Sequence, residues 1–346
     1  MEYVFEYTEK TAQKASEFET KALLYLIGID KDKKKISLAF IDCFNDITGT
    51  DKNSSALWDV QSKGVANMSP SQIGRSLITL LFNQISSLNF CKLALFMPEP
   101  KPEYTVHSGL TEFGIENLKP IEEKIRAGLI KEWLKRKSLI KLDPTQNTAI
   151  DEFFSRIRFI VDKPSTADYI KNITPFKSLN LKKDEFYNSI FKEIKEQQTL
   201  KKLSSIHNAK INHIAEALEF DRHITSLDLS KLIINRFVGH DLFKFKSIPI
   251  SFLPEISGLS KEDAKELIFV CNQQITKAFF DKNKRTIFWK FLENSILTIS
   301  EFPDLSSREV YEKSKAISGF ESSNFHGLPG IFFISIIIDG IENALH

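Results

Sequence analysis

Of the 346 residues only three are cysteine, Cys43, Cys91 and Cys271, and no two stand in a CxxC pair. That spacing excludes a zinc ribbon and a dithiol redox motif. Cys43 and Cys91 each sit in or beside an apolar run, which reads as buried, reduced thiol. The histidines are equally scattered. No HExxH occurs, and His207 and His213 are six residues apart, so they do not share a helix face as ligands. His223 and His240 have no paired partner either. Long hydrophobic runs are missing. The longest, residues 331–338, is interrupted by Ser335 and is less than half a membrane span. The opening Met1-Glu-Tyr-Val-Phe-Glu6 has neither a basic nor an apolar region of the kind that signals secretion. A soluble, cytoplasmic protein in a reducing compartment, without membrane association, is therefore expected. Neither sign of charge dominates, with 47 Lys and Arg against 45 Asp and Glu. A globally basic nucleic-acid binder is not implied, whereas a local basic face is compatible with that balance. No internal repeat or low-complexity tract is visible. Gly327-Leu-Pro-Gly330 lacks a following GK[ST], so it reads as a turn before the last helix rather than a phosphate loop.

What is present is an ordinary globular composition, 42% hydrophobic and 27% charged, with enough length for two domains. The first part alternates helix and strand signals. Residues 11–28 have helical spacing of Phe18, Ala22, Tyr25 and Leu26. Residues 36–44 form a short apolar strand, 45–55 a turn-rich loop, and 56–63 a second strand. Ser69-Pro70 opens a helix running to about residue 88, Ser as the cap and Pro at the first position. Residues 91–97 form a third strand, 120–138 an amphipathic basic helix, 147–157 another helix and 158–162 a fourth strand. Beyond Pro164 the pattern is helical with mixed charge, and only 243–252 is ambiguous. Ser260 followed by acidic residues marks a helix start. The boundary falls at 165/166, giving an α/β core of a mixed sheet flanked by helices, 1–165, and a mainly α-helical region, 166–346.

The second strand is the unusual one. In Leu57-Trp-Asp-Val-Gln-Ser-Lys63, two-residue alternation puts Asp59, Gln61 and Lys63 on one face. A strand between helical layers is ordinarily apolar on both faces. One explanation is a solvent-facing edge strand, where polar residues are unconstrained. The other is a site. Asp46 stands where the first apolar run ends, and in a hairpin the two strand ends would bring it to Gln61 and Lys63. Such a set suits metal-assisted phosphodiester hydrolysis. A Mg²⁺ ion takes one or two carboxylates, with water and phosphate completing its shell. Asp46 would supply a carboxylate and Gln61 an amide oxygen. Lys63 would orient the attacking water and offset developing negative charge. Glu17 and Glu19 on the first helix are candidates for a further carboxylate.

Asp46 followed by Gln61-Ser-Lys63, with fourteen residues between Asp46 and Gln61, resembles the PD-(D/E)XK nuclease superfamily. Its pattern is Asp, a spacer, then Glu/Asp/Gln-x-Lys on the following strand, and its core runs helix, three strands, helix, strand. The Glu-bearing N-terminal helix, with Ser16-Glu-Phe-Glu-Thr20, and the polar helix after Lys63 match as well. Within the superfamily the chain is most similar to nuclease effectors of bacterial anti-phage systems, DNA endonucleases joined to cyclic-oligonucleotide sensing or to Lamassu-type ATPase complexes. The resemblance covers residues 10–165. It implies a Mg²⁺- or Mn²⁺-dependent DNA endonuclease with Asp46, Gln61, Lys63 and Glu19 as its catalytic set, the metal held by Asp46, Gln61 and Glu19. It departs from the usual pattern in placing Gln61 where a second carboxylate normally stands, one negative charge fewer, which Asp59 two residues upstream is placed to compensate.

Lys131, Lys135, Arg136 and Lys137 on the basic helix are candidate contacts to a phosphate backbone. A solvated helix end explains them equally well. A free nuclease is toxic, so the helical region is expected to dock a controlling partner; the resemblance implies an SMC-like ATPase or sensor subunit, with self-association on activation. Two rivals stand beside this: a non-enzymatic scaffold with a degenerate nuclease fold, and a restriction endonuclease of the same fold.

Overall fold

A computed structural model describes residues 2–5, 16–178 and 181–343. The helix expected over 11–28 is present as α1, Glu17–Gly28; residues 11–15 lie outside the described residues. Ser16 caps it, and the Glu19 side chain bonds back to the Ser16 N–H in a capping box. Three strands follow, β2 (Leu38–Ile41), β3 (Ile47–Thr50) and β4 (Leu57–Ser62), after a short β1 at Tyr3–Val4. The segment 69–88 holds two helices, α2 (Pro70–Ser76) and α3 (Ile78–Gln84), rather than one. Then come β5 (Phe90–Met97), β6 (Glu112–Phe113), α4 (Glu122–Arg136), α5 (Pro144–Arg156), β7 (Arg158–Val161) and α6 (Thr166–Ile173). The remainder carries α7 (Asp184–Lys201), β8 (Lys210–Ile211), β9 (His223–Thr225) and α8 (Ser226–Val238). It ends with α9 (Leu253–Ile256), α10 (Lys261–Phe280), α11 (Arg285–Glu301), α12 (Ser307–Ser314) and α13 (Leu328–Asn343).

Seven strands form one mixed sheet in the order β6-β7-β5-β4-β3-β2-β9. β2, β3 and β4 make an antiparallel meander, and β4, β5 and β7 run parallel. Helices flank the sheet. One face carries Leu57, Leu93, Leu95 and Phe159 against α2 to α5, whose Ile73, Leu81, Leu129 and Phe153 are buried there. α2 and α4 cross closely because Gly74 and Gly128 leave room. A Cβ on Gly74 would lie 1.9 Å from the Ile125 carbonyl oxygen. On the opposite face Phe18 and Tyr25 of α1 pack their rings against Phe96.

Four expectations are corrected. The first strand ends at Ile41, and residues 42–46 form a turn with Asp42 at positive φ. The stretch 45–55 is not all loop, since β3 pairs on both sides, with β2 and with β4. β4 is therefore not an edge strand. All six of its residues are buried at the centre of the sheet, so solvent does not explain its polar face. Strands also occur after residue 164. β9 extends the sheet beside β2, β8 pairs with β1, and 243–252 contains no strand.

The chain divides into two compact units, Met1–Ile173 with Tyr187–Leu229, and Thr174–Phe186 with Ser230–His346. A single boundary at 165/166 misplaces the returning stretch 187–229, which belongs with the sheet. The second unit is helical. Its core gathers Phe288, Phe291, Phe325 and Phe333 around α13, and the buried Glu293 carboxylate accepts the Lys177 and Ser178 N–H groups. None of the cysteines is in a disulfide; Cys271 is buried, but Cys43 is only partly so and Cys91 is exposed. Among the described residues no helix is long and apolar enough to cross a membrane.

What ties the returning stretch to the sheet is Arg222, 1% exposed. Its guanidinium donates to the carbonyls of Asp42 (2.6 Å), Ser204 (2.7 Å) and Lys202 (2.8 Å), and its own carbonyl accepts from the Ile41 N–H at 2.8 Å. Removing one member of a buried charged network leaves several polar groups unmatched, at a cost of about 3–5 kcal/mol. Arg222→Met is expected to lower stability by about 3 kcal/mol, read from the urea midpoint with unchanged m-value. A loss below about 1 kcal/mol would show that the returning stretch is held by other means.

Candidate functional site

β3 and β4 pair with Ile47 opposite Val60, so the next step of the register places Asp46 opposite Gln61. The strands' ends thus set Asp46, Gln61, Ser62 and Lys63 at one rim of the sheet. Three donors converge on Asp46 Oδ2: Gln61 Nε2 at 2.7 Å, the Ser62 N–H at 2.7 Å and Ser62 Oγ at 2.8 Å. No donor from the described residues reaches its other oxygen, Oδ1. Loss of hydration pushes the Asp46 carboxyl up to about 7; the Lys63 ammonium pulls it down and the Glu19 carboxylate pushes it further up. These through-space effects place Lys63 and Glu19 around the same carboxylate. The hydrogen bond brings Asp46 and Gln61 together, and Lys63 and Glu19 lie within electrostatic reach of the same carboxylate.

Between the two helix carboxylates the structure makes a choice. Glu17 is exposed and pairs with Lys21 at 3.5 Å. Glu19 faces the site, where its Oε2 accepts from the Ser16 N–H (3.2 Å) and from the Lys202 ammonium (2.6 Å). The Lys202 side chain is 3% exposed. Next to Glu19, Thr20 Oγ1 donates to the buried Gln198 Oε1 at 2.8 Å.

Asp59 does not compensate for Gln61. It is wholly buried, and its carboxylate is already bonded on both oxygens: Oδ1 by Thr48 Oγ1 (2.7 Å), Oδ2 by Asn83 Nδ2 (2.7 Å) and Asn45 Nδ2 (3.3 Å). Burial raises this carboxyl to about 6, opposed by those hydrogen bonds. Asn83 also donates to the Phe44 carbonyl at 3.1 Å. Asp59 is thus the anchor that holds the 42–46 turn over β4, and its role is to position Asp46. The basic residues of α4 lie outside this cluster. Lys131, Lys135 and Lys137 are exposed, Arg136 is paired with Glu132 at 3.1 Å, and the Lys137 ammonium sits over the Phe82 ring.

Residues that sequence patterning did not single out are Ser62, Lys202, Arg222, Asn45 and Asn83. Ser62 is the middle residue of Gln-x-Lys, and alternation assigns it to the opposite face; its hydroxyl reaches Asp46 because Asp46 lies off the end of β3. Lys202, in Leu200-Lys-Lys-Leu203, has no local signal at all.

Among the described residues no three His, Cys, Asp or Glu side chains gather as a metal set. The donors here are two carboxylates, Asp46 and Glu19, and one amide. That is a thin set for an all-protein cage, but it fits a Mg²⁺ ion that keeps most of its water. Among the described residues no donor reaches Asp46 Oδ1, and Gln61, with its nitrogen turned to Asp46, accepts none on its amide oxygen. No protein-family model, curated protein or solved structure matches the chain.

Asp46 and Asp59 both hold protons more tightly in the fold than in an unfolded chain. Each favours the folded state most below the ordinary Asp range, near pH 4, and loses that contribution as pH rises through about 7 for Asp46 and about 6 for Asp59. In the presence of a chelator, Asp46→Asn is expected to gain in Tm relative to the unsubstituted protein as pH goes from about 4 to 8, levelling off above 7. A difference that stays constant over that interval would mean that Asp46 titrates like an exposed carboxyl.

Proposed function

We propose that the chain is a metal-dependent DNA endonuclease of PD-(D/E)XK type, acting as the effector subunit of a bacterial anti-phage defence complex. The observation that carries this is the Asp46 carboxylate bonded by Gln61 and Ser62, with Lys63 and Glu19 acting on it. The order of elements supports it further. α1, the β2-β3-β4 meander, the α2–α3 pair and the parallel β5 follow the helix, three-strand, helix, strand core of that superfamily. The rival scaffold rested on polar residues at an exposed strand, and β4 is central and buried.

In this reading Asp46 Oδ1 and the Gln61 amide oxygen would hold a Mg²⁺ or Mn²⁺ ion, with Glu19 beside them. The ion, when bound, supplies Lewis-acid polarisation of the scissile phosphate and acidifies a bound water. The chain's own groups do the rest. Ser62 fixes the Asp46 carboxylate through two hydrogen bonds, so it needs no reorientation to receive a cation. The Lys63 ammonium orients the attacking water and offsets the charge that develops on phosphate oxygens. The basic residues of α4 are proposed to track the DNA backbone. The helical unit is proposed to dock a controlling SMC-like ATPase or sensor subunit in the cytoplasm and to mediate self-association on activation; exposed Phe269 and Val270 on α10 give it apolar surface for contact.

Lys63→Ala and Asp46→Ala are each expected to lower Mg²⁺-dependent cleavage of supercoiled plasmid by on the order of 10²–10³-fold. Circular dichroism should show that both variants keep the fold. Cleavage by Lys63→Ala at the unsubstituted rate would retire the mechanism.

A further inference from the structure

Lys202 is a charged residue at Glu19 that the superfamily pattern does not account for. Its ammonium is 3% exposed and lies 2.6 Å from Glu19 Oε2. It is not a wandering surface side chain. Its carbonyl accepts from Arg222 Nη2 at 2.8 Å, and its N–H donates to the Thr199 carbonyl at 3.1 Å. Four residues earlier, Gln198 is tied to Thr20, the neighbour of Glu19. The end of α7 is thus tied to the start of α1 by the Thr20–Gln198 bond and by the ion pair, and Arg222 holds the Lys202 backbone.

Charge counting then limits what the rim can hold. Among the described residues two carboxylates, Asp46 and Glu19, stand with two ammonium groups, Lys63 and Lys202. Where a third carboxylate would stand, the chain has the neutral Gln61. Two divalent ions would add four positive charges to a set already balanced, in surroundings that screen poorly. One ion, sharing its charge with substrate phosphate, is the most such a set supports.

We infer that Lys202 is a built-in cation standing at Glu19 where a second metal ion would otherwise be held, so that the Asp46 centre binds a single divalent ion. This rests on the metal-centre reading above, and the test separates the two. Mn²⁺ is titrated calorimetrically into the full-length protein, with circular dichroism to monitor folding. The unsubstituted chain is expected to bind one Mn²⁺. Two per chain would overturn the inference while leaving the nuclease reading intact; none would remove the metal centre itself and the inference with it. Lys202→Met frees Glu19 and is expected to bind two. A folded Lys202→Met that still binds one ion with unchanged affinity would make the pair merely structural and overturn the inference. The combined Glu19→Gln, Lys202→Met chain removes both charges without burying either alone. It is expected to return to one ion, and two would count against the assignment.

Discussion

A guanidinium that is 1% exposed has to find its acceptors inside the protein, because burying it unmatched costs more than a single domain can spare. Arg222 finds them on three carbonyls that local sequence keeps far apart, those of Asp42, Lys202 and Ser204. That one requirement fixes several things together. It holds β9 beside β2, it sets the 42–46 turn from which Asp46 projects, and it places Lys202 where its ammonium meets Glu19. The site is thereby assembled from distant segments, since Asp42 and Arg222 are 180 residues apart in the chain.

The second constraint is the polar content of a central strand. β4 is buried along its whole length, yet carries Asp59 and Gln61. Each is tolerated for its own reason. Asp59 is neutralised in effect by hydrogen bonds from Thr48, Asn45 and Asn83, a network that turns a costly buried carboxyl into a clamp on the 42–46 turn. Gln61 reaches the rim and spends its amide nitrogen on Asp46. Neighbouring positions of one strand face thus differ in kind. One is satisfied internally and positions the other elements; the other is half satisfied and leaves an oxygen for a ligand.

Much of this was legible in the chain, and what was not has physical causes. The alternation in 57–63 located β4 and its polar face, and Ser69 and Ser260 marked helix starts that the structure keeps. β3 escaped because Ile-Thr-Gly-Thr is only four residues long, is interrupted by a glycine, and sits among turn-forming residues. It is a strand because β2 and β4 pair with it from both sides, which is a tertiary effect. Gly49 belongs there for a packing reason as well: a Cβ at that position would come within 3.0 Å of Ile36 and Leu26 side chains. Arg222 and Lys202 escaped for a different cause. A lysine or arginine in a mixed-charge stretch reads as surface, and only long-range partners reveal that it is buried.

Those long-range partners also change what Gln61 means. Against the superfamily pattern, an amide in place of a carboxylate looks like a loss of metal-binding power. Beside Lys202 it looks like part of a consistent choice, since both features reduce negative charge at the same rim. A third carboxylate at position 61 would crowd the Asp46 carboxyl, already raised to about 7 by burial and by Glu19, and would push it higher still. The amide avoids that repulsion, donates a hydrogen bond to Asp46, and still presents an oxygen. Removing one carboxylate and adding one ammonium both lower the negative charge at the rim, so the half-buried Asp46 meets less repulsion when it ionises on the arrival of a cation.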